Sequence, residues 1–279
     1  MDDATSPLRT LSAPRWTATG LLWQLVRLGD YYDLLLVLSR HRISVRYKQS
    51  VLGGVWAILQ PVAMMLVFTV VFARLARFPS NGVPYALFAY AGLLPWTFFS
   101  GAVSAGTGSL VGHASLITKI YFPREILPLS YVVASVVDLL IGSSVLVALA
   151  LIYHVKLTPE LVVVVPTTAV LGAFALACGL ILSAVQVRFR DIGMALPIGL
   201  QLLMFASPVL YPMEMVPLAW RHVYALNPLA GLIDTFRRSA LGLPLDPLAF
   251  LTGTVVTAVA LPLAYAVFKH AEVTIADHV

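Results

Sequence analysis

Long stretches almost free of charge alternate along the whole chain with short clusters of basic residues, proline and glycine. The charge-poor stretches fall at about 50–73, 85–111, 127–152, 161–186, 192–211 and 247–268. Each is close to the roughly 20 residues an apolar helix needs to cross about 30 Å of hydrocarbon. Backbone polar groups in lipid must be satisfied within their own segment, so such runs read as helices. Helix punctuation agrees: Thr158-Pro159, Asp191 and Asp246-Pro247 stand where N-caps are needed, two of them with proline at the first helical position. The fifth stretch is the shortest, and the second is interrupted by Pro95, Gly101, Gly106 and Gly108. These two are the ones expected to be kinked or to line a cavity.

Two segments do not fit the spanning pattern. From Asp30 to Lys48, DYYDLLLVLSRHRISVRYK, an apolar run precedes five basic side chains within nine positions. It predicts a helix lying in the membrane interface, with Arg42, Arg46 and Lys48, and Tyr47 among them, near anionic headgroups. A plain topology anchor accounts for the same pattern. Residues 212–246 are too apolar for a hydrophilic loop and too interrupted to span. Within them Asn227-Pro228 starts a new helix, so two short re-entrant or surface helices are expected, the second ending at Gly242 with Arg237 and Arg238 near its carbonyl end. They either gate that end of the bundle or cap it.

Composition settles the solvent. The 279 residues are 59% hydrophobic and 11% charged, against roughly 25% charged in an ordinary soluble domain. The expectation is an all-α integral membrane protein of six transmembrane helices, forming one domain over 30–279 behind a tail at 1–29. Asp2, Asp3, Arg9 and Arg15 break up the N-terminus, so no signal-peptide core is present and the tail should stay unprocessed. The net charge of +5 sits mostly beside the spans, which topology explains better than nucleic-acid binding. With the N-terminus inside, 12 Lys and Arg side chains fall in the cytosol and 6 outside, so both termini are expected to be cytosolic.

The chemistry-bearing residues are sparse. Lys48, Lys119, Lys156 and Lys269 follow Tyr, Thr, Val and Phe, so none completes the Gly-Lys step of a phosphate-binding loop. If ATP drives this protein, a separate subunit must hydrolyse it. Six histidines show no metal-ligand spacing, and no metal or catalytic site is expected. The lone Cys178 reads as a small buried hydrophobe. Asp138 alone sits clearly within a span, turned to a polar interior or bonded to a neighbouring helix. In SLITKIYFPREILPLS (115–130), a short helix stopped by Pro123 would present Leu116, Ile117 and Ile120 as a knob with Lys119 beside it, ahead of Phe122, Arg124 and Glu125. That loop is a docking element for a cytosolic partner or a return turn anchored by Arg124. Among the aromatics, Tyr85 and Trp56 read as belt residues. Trp96, Phe98, Phe99 and Tyr211 are candidates for a path that offers flat apolar surfaces to sugar rings.

Taken together, RYKQSVLGGVWAILQP (46–61), VPYALFAYAGLLPWTFFSGAV (83–103), LITKIYFPREILPLS (116–130), VRFRDI (187–192), SPVLYP (207–212) and NPLAGLIDTFRRSALG (227–242) resemble the permease subunit of bacterial type-2 ABC exporters of polysaccharides. The resemblance implies a homodimer in the bacterial inner membrane, paired with two copies of an ATPase that binds ATP and magnesium, while this chain holds no cofactor. It implies a lipid-linked glycan substrate moving between the two permeases in contact with membrane lipids. It also implies a coupling helix around Leu116 to Glu125, an interface helix around Arg46 to Ser50, and outer gate helices over 208–242 that include Pro212, Asn227, Pro228 and Arg237. Three other readings stay open: a permease of the same class for a lipid, drug or small molecule, a membrane-embedded polyprenyl-sugar transferase, and a passive scaffold.

Overall fold

The computed structural model describes residues 28–48, 53–75, 77–80, 82–119, 122–156 and 158–278. Most of the expected tail, with Ser50 and Ile120, lies outside these residues. A 3-10 turn, Leu28–Tyr31, leads into α1 (Tyr32–Lys48). Next come α2 (Val55–Phe68), prolonged by a π-helical stretch (Thr69–Leu75), α3 (Tyr85–Thr107), the short α4 (Ala114–Lys119) and α5 (Ile126–Ile152). A 3-10 turn (Pro159–Val163) opens α6 (Val164–Arg188), which is followed by α7 (Ile192–Phe205), α8 (Leu218–Ala225), α9 (Pro228–Leu241) and α10 (Pro247–His278).

The fold is an all-helical membrane protein. Five helical stretches among the described residues are long and apolar enough to cross a bilayer: Val55–Leu75, Tyr85–Thr107, Ile126–Ile152, Pro159–Arg188 and Pro247–Glu272. The span expected over 192–211 is shorter than that. α7 has 14 residues, about 21 Å at 1.5 Å per residue. Its end has a local cause. Pro208 disfavours helix at Ser207, whose hydroxyl accepts instead from Asn227 Nδ2 at 2.9 Å. The next two carbonyls, of Pro208 and Val209, accept from Arg237.

α3 is the centre of the bundle. It packs on α2, α5, α6 and α9, with Leu87, Phe88, Tyr90 and Leu93 completely buried. One helix runs through Pro95 to Thr107. Close approach to α5 depends on Gly142, where an added Cβ would lie 2.7 Å from the Leu94 side chain and whose carbonyl accepts from Tyr90 Oη at 2.8 Å. α2 and α7 are the opposite case. Trp56, Leu59, Leu66 and Val67 on α2, and Met194, Ile198 and Leu202 on α7, are exposed apolar side chains, an arrangement suited to lipid or to another chain.

The helices define two ends. α1, α4, residues 122–125 and the C-terminal part of α10 share the loop end; the connections after α2, α5 and α7 share the hairpin end. α9 is tucked into the hairpin end and buried over most of its length. Asn227 caps it, its Oδ1 accepting from the Leu229 amide at 3.1 Å, with Pro228 at the first position. Gly242 ends it at φ 65°, a conformation that favours glycine.

Candidate functional site

An open groove of about 810 Å³ runs between α2, α3, α5 and α7. Its walls are apolar where Trp56, Trp96 and Phe98 line it, and polar at Gln60, Thr97, Ser104 and Gln201. The two spans expected to be kinked or to line a cavity, α3 and α7, both contribute to the walls. Of the four aromatics proposed for a path, Trp96 and Phe98 touch the groove. Phe99 does not: it is buried and stacked on Phe174, centroids 5.6 Å apart and planes 10° from parallel. Neighbouring residues on a helix point about 100° apart, so Phe98 and Phe99 face different surroundings. Tyr211 also lies elsewhere, at the hairpin end, where its hydroxyl bonds Tyr224 Oη at 2.8 Å and donates to the Phe205 carbonyl at 3.0 Å. Trp56 and Tyr85, read as belt residues, part ways: Trp56 is an exposed groove wall, while Tyr85 is buried and donates to the Leu210 carbonyl at 2.7 Å.

A polar cluster closes the groove toward the loop end. Asp138 on α5 pairs with Arg46 and accepts from the Tyr47 hydroxyl, both at the C-terminal end of α1. Burial, and then the carboxylate it donates to, pushes the Tyr47 phenol up to about 12. The expectation that the α1 cations face headgroups needs correction at Arg42. Arg42 is buried, its Nε donating to Ser130 Oγ at 2.7 Å and its guanidinium lying 3.4 Å from the Tyr131 ring centroid, a cation–π contact. Ser39 adds a bond to the Ser130 carbonyl at 3.4 Å. α1 therefore packs along α5, leaving Lys48 exposed.

The 115–130 segment also differs in detail. α4 is one and a half turns with a single apolar face, and that face goes to the bundle. Ile117 is buried with Phe122 against Leu127, Leu180 and Phe268, and Leu116 packs at the edge of the same cluster. The knob expected to project outward at Ile117 is thus turned inward, while Lys119 is exposed. Arg124 and Glu125 pair with α10, not with each other. Arg124 Nη1 donates to the Glu272 carbonyl at 2.7 Å. The buried Glu125 carboxylate accepts from Lys269 Nζ at 2.8 Å and Tyr265 Oη at 3.0 Å, and Lys269 also reaches Glu272 Oε2 at 2.8 Å. These α10 partners were not anticipated, although their spacing carries a signal: Tyr265, Lys269 and Glu272 lie four and three residues apart, on one helix face.

At the hairpin end Arg237 is fully buried. Its Nη2 donates to the carbonyls of Pro208 at 2.7 Å and Val209 at 2.5 Å, its guanidinium lies 4.0 Å from the Phe88 centroid, and Asp234 sits 3.6 Å away. Asp234 accepts from Arg238 Nε at 2.6 Å, and Arg238 reaches Glu214. Pro212 is buried before the short turn Met213–Met215.

Apolar helices around an open, partly polar groove, with a cluster of charges at each end of the bundle, suit an all-helical membrane transport subunit. Residues 33–241 match the model of the ABC-2 type transporter family, a range that includes every groove-lining residue, and the chain belongs to that family. It is similar to an O-antigen export system permease protein RfbA of Myxococcus xanthus, 34% identical over 77% of this chain and 83% of that protein. A Klebsiella pneumoniae protein of the same name is 30% identical over 84% and 92%. The polysialic acid transport protein KpsM of Escherichia coli is 26% identical over 75% and 84%.

Proposed function

We propose that this chain is the permease half of an ATP-driven exporter that moves a lipid-linked polysaccharide across the bacterial inner membrane. The observation that carries the reading is the family match over 33–241 together with relatives named for O-antigen and polysialic acid transport. The loop end faces the cytosol, with both termini, because the basic residues concentrate there. ATP and magnesium belong to a separate ATPase subunit that docks near Lys119 and residues 122–125. Two copies of the chain bring their uncovered α2 and α7 faces together around the groove, so that the exposed Trp56 offers a ring face to sugars and Gln60, Ser104 and Gln201 offer hydrogen bonds. The chain itself carries transport and no hydrolysis.

The test is co-purification with the ATPase subunit followed by ATP hydrolysis assays in nanodiscs. Stimulation by one of a set of lipid-linked glycans, among them O-antigen, teichoic-acid and capsular intermediates, is the expected result. Absence of stimulation across the set, with stimulation by a lipid or drug instead, would transfer the chain to the small-substrate class.

A further inference from the structure

We infer that α10 is the rod that carries motion from the coupling loop to the hairpin end, with Lys269, Tyr265 and Glu272 as positioning residues at its driven end. The inference rests on the reading of residues 116–125 as the ATPase-coupling element. The sequence path from that loop leads into α5, yet the polar side chains of the loop are tied to α10. Three bonds make the tie: Lys269 Nζ and Tyr265 Oη donate to the Glu125 carboxylate, and Arg124 donates to the Glu272 carbonyl, while Lys269 is held in place within α10 by Glu272. Glu125 and Lys269 are 4% and 9% exposed. Separating such a pair strands a charge away from water, so the loop and the end of α10 move as one body.

The other end of the same helix is fused to α9. A Cβ at Gly231 would overlap the Ala249 carbonyl, and one at Gly253 would lie 2.9 Å from Leu232 Cγ and 3.1 Å from the Pro228 carbonyl. Backbones in such contact have no room to slide. From Gly253 to Lys269 the helix is continuous, about 24 Å of rise; Pro262 removes one backbone hydrogen bond midway, and the packing of Ala264, Tyr265 and Phe268, all buried, holds the following turns in place. α9 in turn grips the hairpin through Arg237 on the Pro208 and Val209 carbonyls and Arg238 on Glu214. Loop, α10, α9 and hairpin thus form one continuous series of contacts.

The experiment uses the chain with Cys178→Ala, in complex with its ATPase subunit in nanodiscs, and spin labels at Leu226 and Leu161, both exposed at the hairpin end. The distance between labels is measured without nucleotide and after trapping with ATP and vanadate. A nucleotide-dependent shift is expected in the parent, its loss in Glu125→Gln and in Lys269→Met with the ATPase still bound, and its return in the swap Glu125→Lys with Lys269→Glu. A shift that persists in both single variants overturns the inference. So does a parent that shows no shift, or single variants that shed the ATPase, which would make the cluster a docking site. No glycan is needed, so failure of the polysaccharide reading in the hydrolysis assay and failure of the rod are told apart.

Discussion

Substituting Gly92 by alanine tests whether the hairpin is held by Arg237. Gly92 lies on α3 where an added Cβ would collide with both the Arg237 guanidinium and the Val209 carbonyl. Alanine ordinarily stabilises a helix interior by about 1 kcal/mol over glycine. Here that gain is opposed by overpacking, about 1–3 kcal/mol, and by displacement of a charged donor from its carbonyls, about 1.5–3 kcal/mol for a hydrogen bond to a charged group. The balance is a net loss of about 1.5–5 kcal/mol, which lowers the midpoint of thermal unfolding by on the order of 10 °C in a chain of this size. Scanning fluorimetry of the purified chain in nanodiscs reads it directly. Gly101 is the internal control: it is on the same helix, and nothing lies within 4 Å of its added Cβ, so Gly101→Ala should hold or raise the midpoint. Arg237→Met supplies the second arm. Asp234 keeps Arg238 at 2.6 Å, so no acid is stranded and the cost falls near the lower end of about 3–5 kcal/mol. In that background Gly92→Ala should cost less than in the parent, because only the Val209 carbonyl remains in its way. Equal midpoints for Gly92→Ala and Gly101→Ala would refute the account.

Phe99→Ala removes a buried ring and its stack on Phe174, and is expected to cost about 3–5 kcal/mol of stability in the same thermal assay. Trp56→Ala, at an exposed groove position, is expected to leave the unfolding midpoint within about 2 °C, since surface substitutions usually stay within ±0.5 kcal/mol, while lowering export in a proteoliposome assay. Asp138→Asn breaks an ion pair whose side chains are 26% and 42% exposed, so screening holds the loss to about 1 kcal/mol or less, and faster proteolytic cleavage near the end of α1 is the sensitive readout. Gly242→Ala forces a side chain into φ 65°, with its Cβ 2.9 Å from the Lys156 carbonyl, and should cost about 1–3 kcal/mol, read as a lower midpoint.

What the chain revealed in advance, and what it hid, follow from the range of the signals. α9 was legible to the residue because Asn227-Pro228 and Gly242 act on their own backbone, within a turn. The solvent of the bundle was legible because hydropathy sums over twenty residues. The direction of single side chains was not. Arg42, Arg46, Arg237 and Lys269 look alike in sequence, as cations beside apolar runs, and counting them for topology treats them as facing water or headgroups. Three of the four are buried, and each needs a partner far along the chain: Ser130 for Arg42, the Pro208 and Val209 carbonyls for Arg237, Glu125 for Lys269. α4 shows the same limit, since six residues with one apolar face predict a contact without saying which surface receives it.

The placement of charge divides the bundle mechanically. Among the described residues the ion pairs join α1 to α5, the loop before α5 to α10, and α9 to the hairpin. α2 and α7 have no part in them and carry few buried side chains, Pro61 and Met65 on one and Leu200 and Met204 on the other. Ion pairs and hydrogen bonds demand a fixed geometry, whereas apolar contact is non-directional and its strength depends mainly on area. The groove therefore has two walls of different character: α5, paired to α1 through Asp138 and Arg46, with α3 bonded to it through Tyr90 and Gly142, and α2 and α7, without ion pairs among the described residues and open on their outer faces. On the proposed function, the wall best suited to close on a chain of sugars is the outward-open one, α2 and α7, away from the ties that join the loop end to the hairpin end.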